Sequence, residues 1–232
     1  MIMMKTPQKR EELVEKIILE TPPSRWVAFS IGGCGILAHA LIGRHETRYR
    51  ESQSIALEFA HLVVHAAGFS ASHDHVSMPQ VLIDAADAVI DDPEHVVLLC
   101  TTWQSLPGGV EICSVGSNSV LAFERNIIRE VIAPHTVNEL LRSQGQTPDP
   151  RHRMQVTHVL GSKKSKKSCR IDDVRVAFVP WLSATAIAII EERLIADAIL
   201  EHAVPEGKLS SFIEAWKPPG KRTSVLISLY KR

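Results

Sequence analysis

Two pairs of histidines stand at metal-ligand spacing. His73-Asp74-His75 brackets an acid with two imidazoles, and His61 and His65 fall one helical turn apart, where two side chains share a face. Neither pair has the glutamate of an HExxH helix. The first sits in a serine-containing stretch between two helical patterns and reads as a polar loop. The second reads as the flank of an amphipathic helix. Gly32-Gly33-Cys34-Gly35 has the glycine density of a phosphate cradle but lacks the Lys-Ser/Thr that would follow, so it reads as a tight turn. Cys34 has no acid or base beside it and reads as a small buried residue. The four cysteines are scattered without a CxxC pair, so neither a zinc site nor a disulfide framework is indicated. The densest charge is Lys163, Lys164, Lys166, Lys167 and Arg170. It reads as a solvated loop or as a docking patch for an acidic or phosphorylated protein partner.

The elements that must position these residues follow from period and punctuation. Leu13, Val14, Ile17 and Ile18 form an apolar stripe within 8–20 and predict a helix, ended by Pro22-Pro23. Trp26 to Ile31 reads as a strand running into the glycine turn. Ser52 to Ala67 and Pro79 to Ile90 carry helical spacing. From Val96 the period changes, and short β-branched runs reaching 134 read as an antiparallel meander. A helix from His135 to Ser143 ends at Gly145. Strands are expected at Val174–Val179, Thr185–Ile190 and Thr223–Tyr230, with helices at 191–203 and 207–216. The expected fold class is α+β, two packed antiparallel sheets flanked by helices. Residues 1–24 are expected to form an N-terminal helix and proline loop, and 25–232 one globular unit.

The chain has 232 residues, 45% hydrophobic and 22% charged. Its 26 Lys+Arg balance 26 Asp+Glu, which gives no electrostatic case for nucleic acid or an anionic membrane. No apolar run reaches the ~18–20 residues of a membrane span, and the N-terminus has no signal-peptide core. A cytoplasmic location is expected.

Six phrases in order resemble the metal-dependent serine/threonine protein phosphatases of the protein phosphatase 2C (PPM) family. They are Val27 to Gly33, Thr101-Thr102, Cys113 to Ser119, Val131 to Val137 leading to Gly145, Val156 to Gly161, and Ile187 to Leu194. The resemblance runs from about Trp26 to Leu229. It implies the family's sandwich of two sheets between helices.

The resemblance also implies where chemistry has been lost. The family phrase Val-Ala-Asp-Gly-Met-Gly-Gly supplies a metal-bridging carboxylate and a carbonyl; here Phe29 and Ser30 stand at the Asp-Gly positions. The family's Ser-Asp-Gly-Leu becomes Glu191-Glu192-Arg193-Leu194, which keeps a carboxylate at Glu192 and puts Arg193 in place of glycine. The closing Asp-Asn becomes Lys221-Arg222, and the family's upstream Asn-Glu-Asp strand has no counterpart in 1–25. A binuclear centre holds two ions and a shared water with several carboxylates. A lysine ~4 Å from a divalent ion costs roughly 8 kcal/mol at an effective dielectric of 20. The expectation is a catalytically inactive domain, with no cofactor, acting as a protein-binding regulatory module in bacterial signalling. Two alternatives stay open. One is a divergent manganese- or magnesium-dependent phosphatase using Glu192 with Asp172, Asp173 or the His73/His75 pair. The other is a phosphate-sensing module at Lys221, Arg222 and Arg193.

Overall fold

Ten strands and four helices make a four-layer stack, in a computed structural model that describes residues 13–19, 26–31, 33–42, 49–70, 77–90, 96–124, 127–152, 155–161, 169–181, 186–190, 193–209, 211–212 and 225–231. One sheet joins β2 (Trp26–Ile31), β3 (Cys34–Ile42), β4 (Val96–Leu106), β5 (Gly109–Val115) and β8 (Arg175–Pro180), in that spatial order. The other has the order β1 (Leu13–Leu19), β10 (Val225–Lys231), β9 (Ala186–Ile190), β6 (Ser119–Glu124), β7 (Ile127–Ile132). Every pairing is antiparallel. The α+β class with two packed antiparallel sheets between helices is the fold the sequence predicts.

Helix α1 (Tyr49–Ser70) buries Ala56, Phe59, Ala60, Val63, Val64 and Ala67 at three- and four-residue spacing, the stripe a helix needs to lie on a sheet. It packs on β2 and β3, with α2 (Met78–Val89) beside it. Helix α4 (Arg193–Glu201) covers the opposite sheet through Ile195, Ala196 and Ile199. Between the sheets lies a third apolar layer built on Leu37, Trp103, Ile112, Val120, Ile187 and Ile189. Helix α3 (Val137–Ser143) starts where the Thr136 hydroxyl accepts the Glu139 N–H at 3.3 Å, one N-cap bond.

Three sequence expectations change. The predicted N-terminal helix is a strand in its described part. β1 pairs with β10 from Leu13↔Lys231 to Leu19↔Val225. A ladder partner more than 200 positions away outweighs the local helical stripe, because propensity differences of tenths of a kcal/mol per residue are easily overridden. The single meander is instead split between sheets, with β4 and β5 in one and β6 and β7 in the other. The strand β3 follows the glycine turn as the second arm of a hairpin. In that turn Gly33 stands at φ +84, the left-handed region that glycine enters freely. Of the helix expected at 207–216, Glu206–Lys208 forms a 3-10 turn, Leu209, Ser211 and Phe212 are helical, and 210 and 213–216 lie outside the described residues.

Candidate functional site

The chain crosses between sheets through only Gly116, Ser117 and Asn118, from the end of β5 to the start of β6. This short connection fixes which strand ends share one end of the sandwich. In the first sheet Trp26 pairs with His39 and His39 with Leu99. Gly116 lies against Leu99 so closely that a Cβ there would stand 2.9 Å from the Leu99 Cβ. At φ +113, glycine is the residue that fits. In the second sheet Ser119 pairs with Ile190 and Ile190 with Leu226. The row Trp26–His39–Leu99–Gly116 and the row Ser119–Ile190–Leu226 are therefore joined by the crossover.

That end of the inter-sheet core is polar. Thr101 and Ser114 face each other across β4 and β5 with their hydroxyls 2.8 Å apart, both buried. Asn118 Nδ2 donates to Thr101 Oγ1 at 2.9 Å, while its buried Oδ1 meets no protein donor among the described residues. His39 is buried with its ring 5.1 Å from that of Trp26. A second histidine staples the crossover from outside. His135 Nδ1 accepts the Gly116 N–H at 3.3 Å, and its Nε2–H donates to the Asp173 carbonyl at 3.0 Å. Both contacts suit the neutral ring. Burial, then the Arg175 charge and His158, pull its pKa down to about 4.

The residues singled out from sequence scatter about this end. Phe29 lies three positions along β2 from Trp26, about 10 Å at strand rise, and pairs with Ile36. Its ring sits 4.3 Å from that of His61 on α1 and packs into the helix-side layer, not between the sheets. Ser30 is half-buried and pairs with Gly35. Arg193 opens α4. Glu192, two positions after Ile190, and Lys221 and Arg222, just before β10, lie outside the described residues. So do Lys163, Lys164, Lys166, Lys167, His73 and His75. Arg170 is exposed, with Nε 3.4 Å from Asp173 Oδ2. The same Oδ2 accepts the Arg170 backbone N–H at 2.9 Å, which commits Asp173 to its own turn. Cys34, Cys100, Cys113 and Cys169 are all buried free thiols, and burial pushes Cys113 up to about 12. They are not poised nucleophiles.

His39, Thr101, Ser114 and Asn118 are the functional candidates that sequence reasoning did not single out as a site. The available signal was a lone histidine inside the apolar run Cys34–Ile42 and the Thr-Thr and Ser-Asn-Ser phrases. Strand register is what brings them together. As donors they offer one imidazole, hydroxyls and an amide, without a carboxylate. Among the described residues no Asp or Glu is buried, and no three His, Cys, Asp or Glu side chains converge as metal ligands. These side chains do not by themselves fit a pair of hard divalent ions, which take mostly carboxylate oxygens.

No family model and no curated protein matches the sequence. Solved structures do match in fold. MsPP, a PPM Ser-Thr phosphatase of Mycobacterium smegmatis solved with cacodylate, is 15% identical with a TM-score of 0.63, over 94% of this chain and 97% of its own. The serine/threonine phosphatase Stp1 of Staphylococcus aureus is 12% identical with a TM-score of 0.65, over 100% and 99%. The catalytic domain of the serine threonine protein phosphatase PstP, in complex with 2 manganese ions, is 10% identical with a TM-score of 0.59, over 95% and 97%. This last structure corrects the expectation of a domain without a cofactor: a fold that carries manganese in PstP gives no ground for expecting none here. Among the described residues no helix is long and apolar enough to cross a membrane. Across nearly its whole length, the chain has the fold of the PPM serine/threonine phosphatases.

Proposed function

We propose that the chain is a catalytically inactive domain of phosphatase 2C fold that acts as a protein-binding, regulatory module. The observation that supports this reading is the polar end of the sandwich. Its inter-sheet face carries His39, Thr101, Ser114 and Asn118, and no described carboxylate is buried there or elsewhere. Two-ion hydrolysis needs both ions held about 3.5–4 Å apart around one activated water, and that arrangement needs acids. Phe29, where the resemblance expects the bridging aspartate, is spent on packing against His61. Inactivity concerns turnover; manganese binding is a separate property, measured separately by dialysis.

The partner class follows from charge. Arg170 is exposed, and Lys163, Lys164, Lys166 and Lys167 precede it within seven positions. An acidic or phosphorylated protein segment is the complementary ligand. Fluorescence anisotropy with an acidic phosphoserine peptide tests this on the full chain. Binding should weaken steeply between 50 and about 300 mM salt and be lost when the four lysines become glutamate. Equal binding by parent and charge-reversed protein would remove the basic segment from the reading.

A further inference from the structure

We propose that His61 and His65 form a two-point surface clip for a borderline transition-metal ion of the Zn2+, Ni2+ or Cu2+ class, away from the polar end of the sandwich. The proposal stands on α1 and the β2 ring beneath it and does not rest on the inactive reading. The helix turns Ala56, Phe59, Ala60, Val63, Val64 and Ala67 inward, which leaves Leu57, Glu58, His61, Leu62 and His65 exposed on its outer face. At i, i+4 the two histidine Cβ atoms lie about 5–6 Å apart. Their ring centroids are 6.4 Å apart and the planes 80° to each other. Two imidazoles binding one tetrahedral ion at about 2.0–2.1 Å per nitrogen bring their centroids to about 5 Å. Exposed side chains make that small closure by rotation about χ1 and χ2. The Phe29 ring, 4.3 Å from His61, backs this imidazole and narrows the rotamers it must give up on binding.

Donor chemistry selects the ion. Imidazole nitrogens favour Cu2+, Ni2+ and Zn2+, whereas Mg2+ and Mn2+ prefer oxygen. No third His, Cys, Asp or Glu converges on the pair among the described residues, so water completes the coordination and the ion is exchangeable. Glu58, one turn before His61 on the same exposed face, can hydrogen-bond that water or one ring N–H, the usual outer support of a metal-bound histidine.

Zn2+ titration of the full chain by calorimetry, beside His61→Ala, His65→Ala and His202→Ala, tests the clip. Outer-shell partners alone are worth about 10–100-fold in affinity, so removing a ligand should cost at least about 10-fold. Both helix variants should lose that affinity, His202→Ala should bind as the parent does, and excess Mn2+ should not compete. Cu2+ electron paramagnetic resonance gives a second readout, with two coupled nitrogens in the parent and fewer in either variant. All three substituted side chains are exposed, and far-ultraviolet circular dichroism of each variant verifies the fold. Zn2+ affinity unchanged in both helix variants, or weakened equally in His202→Ala, would overturn the proposal.

Discussion

Gly35→Ala should destabilise the domain by about 3 kcal/mol, at the upper end of what overpacking costs in a well-packed core. Gly35 pairs directly with Trp103 across β3 and β4. A Cβ on Gly35 would stand 2.2 Å from Trp103 Cζ2 and 2.4 Å from Cε2. The indole cannot yield, because it is completely buried in the inter-sheet layer, where interiors are as dense as organic crystals. The backbone cannot yield either, since nine consecutive pairs hold β3 to β4. Urea denaturation of parent, Gly35→Ala, Trp103→Phe and the double variant separates clash from general damage. Trp103→Phe costs stability alone but should rescue part of Gly35→Ala, a favourable coupling in the double-mutant cycle. Strict additivity would mean that the alanine acts elsewhere.

Stability should also fall by about 3 kcal/mol between pH 6.5 and pH 4 through one residue, His135. Its folded pKa of about 4 lies below the 6.5 of an unhindered histidine. The unfolded chain therefore binds the proton first, and stability present above pH 6.5 is lost as pH falls toward 4. At about 1.4 kcal/mol per unit, the full interval gives that order of magnitude. The structural reason is specific. Protonating Nδ1 turns the acceptor of the Gly116 N–H into a donor, inside a site that also holds the Arg175 guanidinium near the ring. His135→Gln keeps an acceptor and a donor without the titration. Its stability should fall much less than the parent's across this window, and an acid limb identical to the parent's would assign the loss to other groups.

What could be read from the sequence depended on whether the determinant was local. The period of α1 and the Pro79 start of α2 are properties of contiguous residues, and both helices stand where the sequence predicts them. Residues 13–19 carry a helical stripe of Leu13, Val14, Ile17 and Ile18, whereas as a strand they put Leu13, Glu15, Ile17 and Leu19 on one face and Val14, Lys16 and Ile18 on the other, with no apolar alternation to announce it. Only β10, at the far end of the chain, decides between them. β3 is nearly all buried, with sheet neighbours on both edges and layers on both faces. Its run CGILAHALI therefore lacks the alternation that marks a half-exposed strand. The polar end of the sandwich was illegible for the same reason. His39, Thr101 and Asn118 are far apart in the chain, and their meeting depends on β2–β3–β4–β5 register and on a three-residue crossover between sheets. The resemblance gave the fold correctly. Register shows that the strand level joined to Ile190 and Leu226 through the crossover is that of Trp26 and His39, with Phe29 three residues further along β2.

The most direct test of the central claim is hydrolysis of p-nitrophenyl phosphate by the purified chain in millimolar manganese, beside Glu192→Ala. An inactive domain predicts no turnover above the variant's background, whatever manganese the protein binds. Turnover that requires both manganese and Glu192 would contradict the account and make this chain a phosphatase whose acids lie outside the described residues.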